Sequence, residues 1–447
     1  MFQRIKPLGL VLCAGLPAGP VLAAPPPMYT MMELGHIRSG QSSVLLAISD
    51  PTPAGPIVVG QSFSAFTPPT LSWRAVAWRP DISTTPVDLL TISQAGNSTV
   101  NRAQDVAPSG TYIVGYSNVS PPHGIRWTFD PLTGAVTGLH TLNALPGDGA
   151  SEGVGVNSAG RAAGYSLTDS STTRGVTWAP GSAAAMLLTS PAGSGGFRLA
   201  REISEAPDEF IVGRCDMSST PTTRPIIWKK SGGAYGLGQL MDFLFPTHVH
   251  DAVGITPNGL TAVGLGATAT EARGVAWDTA TNAVTDIGGL CCSQNVVYDM
   301  NNDGLGVGYV GIDLDVFRAT LFWQGQAYDL NERVVNNPDV GESLFLHVAT
   351  GINSAGQIVG KFGGFASGEP LDPGRVYVLT PVPSPVLAGD ADADGDFDLS
   401  DLAALQVCFL ASPLGTECTA FDADGNGAFN LADYATLASC ITGPTTP

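Results

Sequence analysis

Near the carboxyl end, oxygen-bearing residues recur at one spacing. Asp390, Asp392, Asp394, Asp396, Asp398 and Asp401 fall at positions 1, 3, 5, 7, 9 and 12 of a short stretch, with Gly395 at position 6. Asp422, Asp424, Asn426, Ala428, Asn430 and Asp433 repeat that phase 32 residues later, with Gly427 at position 6. Calcium takes about six to eight hard oxygens, and alternate residues of a tight loop can supply them. Glycine at position 6 allows the sharp bend. Position 7 ligates through its backbone carbonyl, so Ala428 is no obstacle. From Asp390 onward there are ten acidic residues and no Lys or Arg. Six carboxylates in one loop repel one another without a cation, and a merely solvated acidic tail has no reason to keep the glycine twice. The spacing predicts two Ca2+ sites.

Each loop leads into a helical pattern, with Leu402, Leu405 and Phe409 on one face and Tyr434, Leu437 and Ile441 on the other. Ahead of the first loop stands only a Pro-rich linker, residues 381–388, so the entering helix of an EF-hand is missing. Position 12 is Asp rather than the longer bidentate Glu. Loop and helix twice over, with Asp at position 12, resembles a type I dockerin across residues 389–443, leaving 444–447 as a tail. The resemblance implies that the twelve residues named above are the calcium ligands, Asp396 and Ala428 through their carbonyls. It also implies a cohesin-like module or a cell-surface protein as partner. Dockerins use loop positions 10 and 11 for that contact. Here these are Leu399-Ser400 and Leu431-Ala432, which depart from the common Ser/Thr type and differ from each other.

Elsewhere, residues able to do chemistry are scattered. His248 and His250 share a strand face but lack an evident third ligand. No nucleophile elbow, His-Glu-x-x-His or phosphate loop occurs. Glu202, Glu205, Asp208 and Glu209 cluster, and read equally well as a solvated loop. A pair of glycosidase carboxylates would come from distant residues, so sequence does not exclude one. The net charge of −19 argues against nucleic acid or an anionic membrane as partner.

The elements that must position any such residues come from a repeat. A glycine closes a small or β-branched run at Gly60, Gly115, Gly164, Gly213, Gly264, Gly308 and Gly360, at intervals of 55, 49, 49, 51, 44 and 52 residues. A second signature follows each: Arg74…Trp78, His123…Trp127, Arg174…Trp178, Arg224…Trp228, Arg273…Trp277, Arg318…Trp323 and Arg375…Leu379. Each unit carries four short strand patterns, separated by turns rich in Gly and Asn. Four strands at about 40–50 residues per unit predict a β-propeller blade. The expected fold is therefore all-β, a seven-bladed β-propeller over 25–380, with a small α-helical module behind it. The strand Tyr29 to Leu34 is expected to close the ring as the fourth strand of the last sheet. The tryptophans are expected as buried anchors between units, the arginines as donors to carbonyls of the next unit. The glycines mark where a side chain would strike the neighbouring strand. Ala349-Thr350-Gly351-Ile352-Asn353-Ser354-Ala355-Gly356-Gln357-Ile358-Val359-Gly360 closely resembles the HAF-family extracellular repeat; with looser copies elsewhere the resemblance covers about residues 28–380, and it implies export and repetition but no particular chemistry.

Arg4 and Lys6 precede an apolar run, Leu8 to Leu16, and small residues follow at Val21, Ala23 and Ala24. This predicts a signal peptide over 1–24, cut after Ala23 or Ala24, and a secreted protein. Cys13 leaves with it. Six cysteines remain, with Cys408–Cys418 the preferred pair and Cys418–Cys440 its competitor. Three functions fit. The favoured one is a non-catalytic secreted propeller that binds a glycan or protein and is attached through its calcium module. The alternative is a polysaccharide-degrading O-glycosyl hydrolase carried on the propeller. A structural surface protein without a discrete ligand is the third.

Overall fold

The structure is a computed structural model. It describes residues 26–37, 42–65, 71–89, 100–118, 122–168, 172–218, 223–244, 249–267, 271–289, 294–313, 316–335, 344–366, 369–371 and 374–382, together with Phe421 and Asp433. The chain divides into two compact units, 28–382 and a second holding 1–27 and 383–447.

The first unit is all-β apart from a single 3-10 turn, Leu330–Arg333, among the described residues. Strand β1 is Tyr29–Leu34. A first antiparallel sheet follows: β2 (Ser43–Ile48), β3 (Val58–Ala65), β4 (Leu71–Arg79) and β5 (Ser83–Asp88). The second has β6 (Asn101–Val106), β7 (Tyr112–Ser117), β8 (His123–Asp130) and β9 (Ala135–Leu142). The third has β10 (Ala150–Val156), β11 (Ala162–Leu167), β12 (Thr173–Trp178) and β13 (Ala185–Leu187). In the fourth, β14 (Ser194–Ile203), β15 (Ile211–Met217) and β16 (Thr223–Trp228) are joined by β19 (Gln239–Leu240), after a hairpin of β17 (Lys230–Ser231) and β18 (Ala234–Tyr235). Next come β20 (His250–Ile255), β21 (Thr261–Ala267), β22 (Ala272–Asp278) and β23 (Val284–Asp286). They are linked by one parallel bridge from β22 to the following set: β24 (Gln294–Met300), β25 (Gly306–Asp313), β26 (Val316–Trp323) and β27 (Gln326–Asp329). Last come β28 (Leu344–Ile352), β29 (Ile358–Ala366), the short β30 (Glu369–Leu371) and β31 (Val376–Pro381). Strand β1 pairs antiparallel with β31, from Tyr29 opposite Pro381 to Leu34 opposite Val376.

The apolar cores lie between consecutive sheets. Ile57, Val59 and Ala77 of the first meet Ile113, Ile125 and Trp127 of the second. Val114 and Leu142 of the second meet Val156, Val176 and Trp178 of the third. The same packing joins the last sheet to the first, where Leu34, Val359 and Val378 meet Leu45, Val58 and Trp78. Polar ties follow the same route: Asn353 Nδ2 donates to the Ser49 carbonyl at 2.9 Å and the Ser354 amide to Asp50 Oδ1 at 2.8 Å.

Trp78, Trp127, Trp178, Trp228 and Trp277 are fully buried. Four of them donate their indole N–H across to a carbonyl near the end of the preceding sheet: Trp178 to Asn143 at 2.9 Å, Trp228 to Thr189 at 2.7 Å, Trp277 to Asp242 at 2.8 Å and Trp78 to Gly35 at 2.9 Å. They are anchors between sheets. The sixth unit differs. Its anchor slot, opposite Gly306, is held by buried Phe322, and Trp323 is half-buried one position on. Successive side chains of a strand point to opposite faces, so the one-residue longer spacing from Arg318 moves the indole out of the slot.

The arginines also differ from expectation. Arg74 donates to Asp88 through Nε at 3.0 Å and Nη2 at 2.6 Å, Arg174 to Asp148 through Nε at 3.0 Å, and Arg375 to Glu33 through Nε at 2.6 Å. Among these positions Arg224 is one that does reach a carbonyl, Met241 at 2.8 Å, with its guanidinium over Phe243. A carboxylate on the adjoining strand or loop offers a planar fork the geometry it prefers. Glu33 of β1 stands to Arg375 as Asp88 of β5 stands to Arg74.

Candidate functional site

Each repeat glycine sits on the second strand of its sheet, facing a β-bulge in the first. The unpaired residues are Leu46, Gln104, Val154, Arg201, Val253, Tyr298 and Thr350. A Cβ at Gly60, Gly115, Gly164, Gly213, Gly264, Gly308 or Gly360 would overlap a carbonyl oxygen of that first strand, from Val44 in the first sheet to Val348 in the last. The glycine therefore allows the bulge, and the bulge re-aims one side chain. All seven re-aimed residues are half-buried and line one central cavity of about 570 Å³. The residue after each glycine is also half-buried: Gln61, Tyr116, Tyr165, Arg214, Leu265, Tyr309 and Lys361. Tyr309 and Lys361 line the central cavity. Tyr116 and Tyr165 line a second pocket of about 270 Å³, with Arg102, Ser151 and Glu152.

The cavity has an aromatic wall. Tyr298 lies 5.8 Å from Tyr309, Tyr309 meets Phe317 edge-on at 4.8 Å, and Phe317 lies 5.4 Å from His347. Arg201 Nη2 donates to Asp251 at 2.8 Å, and Arg214 adds a longer contact at 3.4 Å. Around the rest run Leu46, Val154, Val253 and the apolar ends of the first strands.

Three acids follow the bulges: Asp105, Glu202 and Asp299, each 97 residues from the next. The corresponding residues of the third, fifth and seventh units are Gly155, Gly254 and Gly351. A Cβ at Gly155 or Gly254 would press on the first strand of the following sheet. Asp105 Oδ2 accepts from the Val156 amide at 2.8 Å and Asp299 Oδ2 from the Ile352 amide at 2.9 Å, both in the next sheet. Glu202 Oε1 accepts from its neighbour Ile203 at 2.8 Å. Each acid keeps a partly open face toward the cavity but is otherwise enclosed by protein. Burial, opposed by the backbone donors and aided by nearby acids (Asp299 and Glu205 on Asp105, Asp50 on Asp299), pushes Asp105 up to about 8 and Asp299 up to about 6. Burial followed by repulsion from Asp105 drives Glu202 well above the usual range. Asp105 and Asp299 tie neighbouring sheets together, and all three carboxyls offer the cavity groups that hold protons well above the usual carboxylate range.

The Glu202 to Glu209 cluster is thus no uniform solvated loop. Glu202 and Glu205 line the cavity, Asp208 is exposed, and Glu209 is buried with Arg161 and Lys230. The clue in the sequence was an acid just before the buried end of the first strand in every second unit. The bulges and the residues after the glycines were missed because periodicity reports which residues are buried, not where an unpaired residue points.

His250 is buried, its ring 6.0 Å from Phe243; His248 lies outside the described residues. Among the described residues, no group of three His, Cys, Asp or Glu side chains is placed to hold a metal ion. Cys215 is a buried free thiol, which burial pushes up to about 11; the other cysteines lie outside the described residues. So do Asp390, Asp392, Asp394, Asp396, Asp398, Asp401, Asp422, Asp424, Asn426, Ala428 and Asn430. Asp433 is buried and helical. Among the described residues no helix is long and apolar enough to cross a membrane.

No family model matches the chain and no curated protein matches it. Solved structures similar to it include the propeller of Dos1, at 11% identity and a TM-score of 0.43, covering 79% of this chain and 95% of that one. The β-propeller domain of the trilobed protease from Pyrococcus furiosus is similar at 11% and 0.44, covering 74% and 98%. An oligogalacturonate lyase in complex with manganese is similar at 11% and 0.48, covering 79% and 97%. Among the described residues the unit 28–382 is all-β apart from one 3-10 turn, with propellers among the structural neighbours of the chain.

Proposed function

We propose that this is a secreted, non-catalytic binding protein: a seven-bladed propeller closed by β1, which takes carbohydrate at its central cavity. The observation that carries the reading is the half-buried pair in each unit, the bulge residue and the residue after the glycine. Of these, Arg201, Tyr298, Tyr309 and Lys361 line the central cavity, together with the amide of Gln104. Rigid amphipathic rings with a few charged and amide groups suit a ligand that has apolar C–H faces and many hydroxyls. The cavity is within the roughly 300–1,000 Å³ of small-ligand sites. Export rests on the basic and apolar start of the chain and on the small residues before Pro25. Attachment rests on the dockerin-like module, holding two Ca2+ ions, with a cohesin-like module or cell-surface protein as partner.

A glycan array probed with the full chain tests this: retention of a defined glycan is expected, and loss of that retention in Tyr309→Ala at unchanged melting temperature. Uniform failure to retain any glycan would contradict it. The alternative, an O-glycosyl hydrolase, draws on the raised carboxyls Asp105, Glu202 and Asp299. Both oxygens of Asp299 already accept backbone donors, and Asp105 accepts from the Val156 and Val106 amides, which favours the binding reading. Release of reducing ends from the retained polysaccharide, abolished in Asp105→Asn, would instead establish the hydrolase.

A further inference from the structure

We propose that the pocket between the second and third sheets is a subsite for an additional sugar unit of the same ligand. The inference rests on the reading of the central cavity as a carbohydrate site. The ligand is then a neutral oligosaccharide, not a monosaccharide, running from the cavity past Gln104 into the pocket.

Gln104 is the shared wall. It lines the central cavity as the bulge residue of β6, and its Nε2 donates to Glu152, which lines the pocket. Glu152 is 5% exposed. Its Oε1 also accepts from Arg102 Nη2 at 2.7 Å, and its Oε2 accepts from the Tyr165 hydroxyl. One buried carboxylate thus fixes Arg102, Gln104 and Tyr165 before any ligand arrives, which lowers the ordering cost of binding. Arg102 and Glu152 cancel each other's charge, so the pocket selects neither anion nor cation. It does offer donors, acceptors and two phenol rings, and a hydroxyl can answer both donor and acceptor. Arg102 Nε is buried with no acceptor among the described residues, and such a donor calls for a partner. At about 270 Å³ the pocket falls just below the usual range for an independent small-ligand site. Beside the larger cavity it suits one end of an extended chain. At the matching place between the fourth and fifth sheets, two guanidinium groups share Asp251.

The test is calorimetric titration of the full chain with cello-, xylo- and manno-oligosaccharides of one to six units. For the series that binds, affinity is expected to rise by about tenfold or more once the chain outgrows the central cavity, the yield of one or two net hydrogen bonds. Tyr116→Ala should remove that rise and leave the shortest binders unchanged. Ala150→Phe, which fills the pocket and leaves the polar network in place, should do the same and serves if Tyr116→Ala folds poorly. Binding with no length dependence, and equal in wild type and both variants, would overturn the subsite while leaving the cavity reading intact. Absence of binding by every series would overturn both.

Discussion

At the scale of the residue, seven glycines and three acids do different work. The glycines make room for a carbonyl oxygen, so Gly213→Ala has no cheap accommodation: the atom it strikes is backbone of Leu199. A loss of about 1–3 kcal/mol, the usual cost of overpacking, is expected from urea denaturation. A variant as stable as wild type would mean that the bulge can relax. The acids make stability depend on pH. In the folded chain Asp105 titrates at about 8 and Asp299 at about 6, against an ordinary 3.8. The folded state therefore keeps protons that the unfolded state releases. Stability from these groups is complete below about pH 4 and is lost as pH rises through 8. The melting temperature should fall between pH 5 and 9, and Asp105→Asn should flatten that slope, whatever it does to stability at one pH. An unchanged slope would contradict the assignment. The glycines were legible because they recur at a fixed phase. The acids were not, since Glu202 reads as one charge in a loop until its counterparts two units away are seen facing the same cavity.

At the scale of the element, the sheets hold one another through buried tryptophans with an N–H to spend. Trp178→Phe keeps most of the packing but leaves the Asn143 carbonyl without its donor, which should cost about 1–3 kcal/mol in the same denaturation assay. Phe322 shows that the slot accepts a ring without a donor, so Phe322→Leu should act through packing alone. Four-strand units, tryptophan anchors and the glycine strand could all be read from sequence, because local spacing sets strand alternation. The partners of the arginines could not. Which carboxylate a guanidinium meets depends on the strand beside it, as Arg375 with Glu33 shows across 342 residues.

At the scale of the whole molecule, the proposed ring depends on β1 closing the last sheet, and the proposed attachment depends on calcium loading of the C-terminal segment. Removal of residues 28–35 would bare the edge of β31 and the indole of Trp78, and a lower melting temperature with self-association is expected. A melt unchanged by that deletion would contradict closure by β1. Titration of the full chain with Ca2+ should show two sites, with raised stability when the ion exceeds its dissociation constant. A chain whose melting does not respond to chelator would contradict the loop assignment.

The claim that joins these scales is that bulges, licensed by the repeat glycines, turn recognition residues into one carbohydrate-binding cavity. Affinity electrophoresis of the full chain through the polysaccharide that it retains, run beside Tyr298→Ala/Tyr309→Ala and the distant surface variant Leu132→Ala, tests it most directly. Retardation of wild type and of Leu132→Ala, lost in the tyrosine pair at unchanged melting temperature, is the expected result. Equal retardation of all three would place binding elsewhere and contradict the account.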